Sequence, residues 1–398
     1  MFSIYIHIPF CLSKCGYCDF HSIAMPLASV PGAEYADAVC LEIERQMKRH
    51  NLAGRRVDTI YFGGGTPSIL GASNIQKILD AIYRHFSVTE GAEITIEANP
   101  ETLKHENVKT LKKLCNRLSI GIQSFDDCFL KKLGRIHNAD TARRAVVAAR
   151  DAGFKNINID LMWGLPGQGI KDLELDLEKA IELEPQHMSA YQLTNHFPSS
   201  LTRPLPNSET PSPLVGEGWG EGEFSVGEEL SYEMFLLIHN KLTVASYEHY
   251  EISNFAKKPS SNLRTSFRCH HNENYWHYGE WLGFGSGATS FLRGSTPAYL
   301  RLISIKDISK YLICDFSYET EEFDQKTAMA EYCFLGLRMF DGIDLIAFER
   351  RFGRNFETIY PHLIEKWAAA GHAECHSNRF FLTLEGMLIS DTLFHAFV

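Results

Sequence analysis

Along the first half of the chain, short apolar runs alternate with longer stretches in which apolar residues recur every three or four positions. The short runs at 3–8, 57–62, 93–98, 117–123, 156–162 and 187–193 are rich in β-branched or aromatic residues and bounded by Gly, Pro or polar residues, which predicts strands. The stretches between them, at 34–49, 72–86, 107–115, 141–152 and 171–183, have helical spacing. Alternating βα units imply an α/β fold with a parallel sheet and helices outside it. Six such units predict an incomplete (β/α)6 barrel, with chemistry gathered at the C-terminal ends of the strands. Residues 1–195 therefore read as a partial barrel.

The pattern then breaks. Residues 198–222 read PSSLTRPLPNSETPSPLVGEGWGEG, too poor in apolar surface to fold alone, so 196–227 is expected to be a flexible surface insertion. Helical spacing resumes at 228–242, and 228–320 is expected to complete the barrel. Two more insertion-like stretches, 257–267 and 293–297, flank aromatic-rich motifs. From about 325 to 398 the pattern is mostly helical and ends in a hairpin at 373–382 and a final helix, a small helical or winged-helix-like domain.

Composition narrows the partners. The formal net charge of −10 argues against a broad electrostatic footprint for nucleic acid. No apolar run reaches the roughly 18 residues of a membrane span. The N-terminal MFSIYIHIPF lacks the basic region of a signal peptide, so a cytoplasmic protein with reduced thiols is expected. Of ten cysteines, seven are scattered and for the most part read as small buried apolar residues, while Cys11, Cys15 and Cys18 fall within eight positions.

Closely spaced thiolates on a loop suit an iron–sulfur cluster, and three ligands leave one iron of a cubane open. A zinc site usually needs a second ligand pair, and no partner CxxC lies nearby. CxxxCxxC after an N-terminal strand resembles the signature of the radical S-adenosylmethionine (SAM) superfamily. That resemblance implies a [4Fe–4S] cluster on Cys11, Cys15 and Cys18 whose open iron binds SAM, with the hard chemistry belonging to the cofactor. Gly64, Gly65 and Thr66 follow the second strand, where glycine lets backbone approach a ligand and exposed N–H groups can bind a carboxylate. Glu97, Gln123 and Asp160 end the next three strands, and Arg135 lies in LGRIHN. Taken singly, each also reads as a helix cap. Together they resemble, with matching spacing, the SAM-binding pattern of the oxygen-independent coproporphyrinogen III oxidase-like family, with Tyr5 and Tyr17 on further SAM-contacting positions. The resemblance runs from 3 to 193, resumes at 250–291, and continues more faintly to the C-terminus.

Within that family, coproporphyrinogen oxidases carry another cysteine two residues after the third, where this chain has Phe20, and a long segment ahead of the first strand. The heme-chaperone branch is the nearer likeness, through YIHIPFCLSKCGYCDF and the HNxxYW run His271–Trp276. On the residues alone that run reads as a structural turn with Tyr275 and Trp276 packed on the barrel. The resemblance implies heme binding with His271 as iron ligand, Cys269 and His270 being competitors. Thr289 stands where this branch commonly has His. The implied function is a chaperone that binds heme and passes it to acceptor hemoproteins such as respiratory enzymes. No nucleic acid and no transmembrane segment are expected, while peripheral membrane association, a homodimer and SAM cleavage stay open. The alternative reading is a radical SAM oxidative decarboxylase of coproporphyrinogen III, and RNA modification is a more distant third. If 198–222 is dispensable, replacing it with a short Gly/Ser linker leaves the thermal midpoint nearly unchanged; a drop of many degrees would show that the segment packs on the barrel.

Overall fold

The computed structural model describes residues 1–193, 226–259, 266–294 and 299–397. The Pro-rich stretch 198–222 lies outside the described residues, as do parts of the two smaller stretches expected to be insertions. Strands β1 (Phe2–Ile8), β2 (Arg56–Gly64), β3 (Ser87–Ala98), β4 (Arg117–Gln123), β5 (Ile157–Trp163) and β6 (His187–Gln192) follow one another in parallel. Helices α1 (Gly32–His50), α2 (Ala72–His85), α3 (His105–Leu111), α4 (Asp127–Lys132), α5 (Ala139–Asp151) and α6 (Ile170–Glu182) fall between them. In α2 the buried residues Ile75, Ile78, Leu79 and Ile82 make the stripe that lies on the sheet.

The chain then continues through α7 (Glu228–Val244), β7 (Tyr247–Glu251), β8 (Asn254–Lys257), α8 (His270–Trp276), β9 (Glu280–Phe284), β10 (Thr289–Arg293), β11 (Tyr299–Ser304) and β12 (Tyr318–Phe323). All twelve strands form one sheet, in the order β12-β11-β10-β9-β1-β2-β3-β4-β5-β6-β8-β7. β9 is a parallel strand beyond the six expected; it pairs with β1, Ser3 opposite Trp281 and Tyr5 opposite Gly283. α3 stops at Leu111 rather than running to 115, because Lys113 and Leu114 donate to the carbonyls three residues back and tighten the chain. α4 was not expected; Asp126 caps it by accepting from the N–H groups of Cys128 and Phe129. The C-terminal segment holds helices Gln325–Gly336, Leu345–Phe352 and Pro361–Ala369, and its hairpin Ala373–His376/Arg379–Leu382 gains a third short strand, Ile343–Asp344.

Side chains alternate along the parallel strands with an inverted polarity. Ile4, Ile6, Ile60, Phe62, Leu118, Ile120, Ile157 and Ile159 face outward into the hydrophobic core under the helices. Ser3, Thr59, Tyr61, Glu93, Glu97, Ser119, Asn158, Asp160, His187 and Ser189 face inward and bond to one another or to α8, and Tyr5 faces inward and bonds to His7.

One buried carboxylate ties α1 to the second half of the chain. Glu42 accepts from the Gly285 N–H at 2.8 Å and from the Tyr311 and Tyr318 hydroxyls at 2.5 Å each. Burial pushes its pKa from 4.5 up to about 7 against the pull of those hydrogen bonds. The folded chain therefore binds the Glu42 proton more tightly than the unfolded chain. The resulting stability is complete below pH 4.5 and is lost as pH rises through about 7. Glu42→Gln should flatten this part of the stability–pH curve, by up to about 3 kcal/mol between its ends. Urea unfolding at several pH values measures it, and a slope equal to that of the unsubstituted protein would show that Glu42 does not titrate here.

Candidate functional site

The three clustered cysteines sit on a closed loop after β1. Phe10–Cys11 pairs in parallel with Ile23–Ala24, and the Met25 N–H bonds to the Cys11 carbonyl at 2.9 Å, so the loop returns to its own stem. Within it the Cys18 N–H donates to the Cys15 carbonyl at 3.2 Å. All three thiols are free. They line one cavity of about 480 Å³ together with Tyr17, Gly64, Gly65, Glu97, Gln123, Arg135 and Asp160. Seven positions distributed from Tyr17 to Asp160 thus meet three cysteines at the C-terminal end of the sheet. Among the described residues no three His, Cys, Asp or Glu side chains converge on a single metal ion. A cubane needs no such convergence, because each thiolate binds a different iron. The loop offers three unbridged sulfurs to one cavity and fits that group.

The glycine turn is shaped by close approach. A Cβ on Gly65 would lie 2.6 Å from the Phe10 carbonyl oxygen and 3.0 Å from the Cys11 sulfur; one on Gly64, whose φ is 111°, would meet the His7 ring at 2.6 Å. The turn's amides are not free for a ligand carboxylate, contrary to the expectation. Gly65 N–H bonds to the Ile8 carbonyl and Thr66 N–H to the Phe10 carbonyl, both at 2.8 Å, and Gly64 N–H reaches Glu97 Oε2 at 3.2 Å. The glycines instead let the turn lock onto the stem of the cysteine loop.

Thr66 stands behind that loop, outside the cavity wall, and starts a polar arc. Its hydroxyl donates to the Cys11 sulfur at 3.5 Å and accepts from Asn99 Nδ2 at 2.9 Å. Asn99 Oδ1 in turn accepts from Arg135 at 2.7 Å, and Arg135 reaches the Cys15 sulfur at 3.6 Å and the Tyr17 hydroxyl at 3.4 Å. The arc puts hydrogen-bond donors on two of the three sulfurs. Asn99 is a member that the sequence reading missed; its signal is its place directly after β3, beside Glu97.

Deeper in the barrel lie the acids. Glu97 accepts from the Tyr61 hydroxyl at 2.7 Å, and burial, with nearby Asp160, lifts its pKa to about 7. Burial likewise raises Asp160, which is bonded to Ser119 at 3.2 Å and Asn158 at 2.7 Å. A carboxyl that titrates near neutrality, as Glu97 does, can accept or donate a hydrogen bond, which suits hydroxyl recognition. Gln123 ends β4 with φ at 71°, where the β4–β5 register shifts, so its side chain turns into the cavity. Arg117, also missed from sequence, lines the floor; it is 2 % exposed, and its Nε has no hydrogen-bond partner among the described residues.

Tyr5 and His271 lie below the cavity, not on its wall. Tyr5 bonds through its hydroxyl to His7 Nδ1 at 3.0 Å and stacks on Tyr61. The HNxxYW run is the helix α8 rather than a turn, and it plugs the floor of the barrel. Glu93 caps it, accepting from the N–H groups of His270 and His271 at 3.3 and 3.1 Å. His271 is 1 % exposed. Its Nδ1 meets Thr59 Oγ1 at 2.8 Å, and its Nε2 meets the Tyr275 hydroxyl at 2.8 Å. Thr59 donates to Ser3, so His271 donates from Nδ1 and accepts at Nε2, a neutral ring whose pKa burial lowers to about 3. In this arrangement both nitrogens are committed, and an iron ligand needs a free lone pair.

After anaerobic reconstitution the Cys11→Ala/Cys15→Ala/Cys18→Ala protein should hold almost no iron. Gly65→Ala should cut loading severalfold by displacing the loop stem. Iron and sulfide analysis per chain measures both, and full loading of the triple variant would remove the cysteines from the site.

The profile of the Radical SAM superfamily matches residues 5–180, and that of the HemN C-terminal domain matches 323–389. The chain is 32 % identical over 405 residues to the heme chaperone HemW of Bacillus subtilis (strain 168), covering 100 % of this chain and 99 % of that protein. It is also 32 % identical over 397 residues to the heme chaperone HemW of Escherichia coli (strain K12), covering 100 % and 98 %. Among solved structures, coproporphyrinogen III oxidase (HemN) from Escherichia coli, described as a radical SAM enzyme, superposes with a TM-score of 0.78 at 21 % identity, covering 100 % of this chain and 89 % of that one.

Proposed function

This chain belongs to the heme chaperone HemW family of radical SAM proteins, and from that premise we propose that it binds heme and delivers it to acceptor hemoproteins. The observation that carries this is likeness to the HemW chaperones along the whole chain, joined to a cavity in which three free cysteines face the glycine turn, Glu97, Asp160, Arg117 and Arg135.

Cys11, Cys15 and Cys18 would hold a [4Fe–4S] cluster, which when bound supplies an electron and an open iron site for SAM. The remaining roles belong to the chain's own groups. Thr66 and Arg135 donate toward Cys11 and Cys15, which stabilises negative charge on those sulfurs. Glu97 and Asp160, held by Tyr61 and Asn158, are oriented to bind the hydroxyls of a nucleoside. Gln123 and Tyr17 complete the wall. Because the amides of the glycine turn are already bonded, the charged partner for an amino-acid carboxylate falls to Arg117, the buried guanidinium without a bonded acceptor at Nε.

Phe20, 66 % exposed at the cavity mouth, stands where the decarboxylases carry a further cysteine, which weighs toward the chaperone reading. The reducing cytoplasm suits a protein with free thiols at its site. No helix among the described residues is long and apolar enough to cross a membrane. Respiratory enzymes are the acceptors to try first.

The deciding experiment runs two assays on the anaerobically reconstituted chain. Heme titration should give saturable binding with a Soret shift, and the heme-loaded protein should restore activity to an apo-hemoprotein. Coproporphyrinogen III with SAM should yield no protoporphyrinogen IX. Conversion of that substrate with SAM consumption would replace the chaperone by the decarboxylase.

A further inference from the structure

A second cavity, of about 700 Å³, lies where the end of α8 faces the C-terminal domain. Its composition is unlike that of the rest of the molecule. Four arginines line it, Arg293, Arg350, Arg351 and Arg379, with Asp344 as the one acid on its wall, in a chain of net charge −10. Arg351 is the most telling. It forms no ion pair among the described residues; it donates to the Tyr278 carbonyl at 2.9 Å, and its Nε has no partner. Burial, and then the neighbouring Arg293, lower its pKa, and no acid of the wall pairs with it among the described residues. Arg379 stands 4.0 Å from Asp344, and Arg293 shares Glu280 with Arg55. Such a cleft is built for an anion with more than one negative group.

The other walls are flat and aromatic: Trp276, Tyr299 and Tyr332. His277, the C-terminal cap of α8, also lines the cleft. Its backbone N–H bonds to the Glu273 carbonyl at 2.8 Å, while its ring makes no hydrogen bond among the described residues. Burial lowers its pKa, so the ring is neutral and keeps a free lone pair. His271, six residues earlier, differs on each of these points: it is fully buried and bonded at both nitrogens. A planar aromatic ligand with two carboxylates and a metal that takes an imidazole matches all three features of the cleft at once.

We propose that heme is held in this cleft, with His277 as the iron ligand and Arg351, Arg293 and Arg379 on the propionates. This rests on the reading that the chain binds heme, and it leaves the cavity of the three cysteines to the cluster and SAM. The position of α8 supports the assignment, since one helix contributes the buried His271 to the barrel floor and the free His277 to the cleft.

The test titrates heme into the full reconstituted chain and follows absorption and EPR. The unsubstituted protein is compared with His277→Ala, His271→Ala, Arg351→Glu and the doubly substituted Arg351→Glu/Arg379→Glu protein. Thermal midpoint and iron content confirm that each variant is folded and cluster-loaded. His277→Ala should change the Soret position and the EPR spin state, and weaken binding about tenfold or more. The Arg351→Glu proteins should weaken binding similarly while keeping the spectral type of the unsubstituted complex. His271→Ala, when folded, should keep the ligand signature. Saturable binding with an unchanged spectrum and Kd in His277→Ala and in both arginine variants would place heme elsewhere and overturn the proposal, while leaving the chaperone reading intact. Loss of the signature in folded His271→Ala alone would overturn it in favour of the buried histidine. Absence of saturable binding in the unsubstituted protein would overturn the heme reading itself.

Discussion

The rest of the structure depends on one constraint: a parallel sheet that turns its polar side chains inward. In most sheets the buried face is the apolar one, and buried polar groups carry a cost unless each finds a partner. Here the inward positions of β1 to β6 solve that in tiers. At the floor, Ser3, Thr59 and His271 form one chain of hydrogen bonds; Asn158 joins His187, Ser119 and Asp160; and Glu93 is satisfied by the N-terminus of α8. At the upper tier Glu97 and Asp160 keep partners in Tyr61, Gly64, Ser119 and Asn158, and with Gln123 and Arg117 they line the cavity. The candidate cofactor site is the part of the polar interior that protein alone does not fill.

That view also explains the electrostatics. Glu97 and Asp160 share one low-dielectric chamber with Arg117, and their pKa values rise because burial outweighs the nearby guanidinium. Burial thus shifts both acids toward their protonated forms, Glu97 to about 7, and leaves groups able to bind hydroxyls. Glu42 follows the same logic outside the barrel, where three donors surround a buried carboxyl with no cation bonded to it.

Much of this was legible in the sequence. The six strands and most of the helices between them follow from period-two and period-3.6 patterns, and β1 and β4 were found within a residue of their observed ends. Cys11, Cys15 and Cys18 were legible from spacing, while Gly64, Glu97, Gln123, Arg135 and Asp160 were grouped by the family resemblance, each on its own reading equally as a helix cap; the structure lines one cavity with all of them. What was not legible has physical causes. β9 pairs with β1 across nearly 280 residues, and five residues of EWLGF carry no record of that partner. Arg117 and Asn99 carry no motif; only the alternation, which turns Arg117 inward, distinguishes it. His271 was expected as an iron ligand only through the family resemblance, since on the residues alone its run read as structural packing. A sequence does not show that Thr59 and Tyr275 occupy both of its nitrogens.

α8 has a mechanical consequence of its own. It is seven residues long, about 10 Å from end to end, too short to bend or to absorb a displacement internally. Its first turn is bolted to the barrel floor by Glu93 and Thr59, directly beneath the chamber of Glu97 and Arg117. Its last turn carries Trp276, against which Arg338 of the C-terminal domain packs at 4.4 Å. The barrel floor and the C-terminal domain thus meet through one short, stiff element. Any effect that occupancy of one end has on affinity at the other must, by thermodynamic reciprocity, be the same factor in both directions.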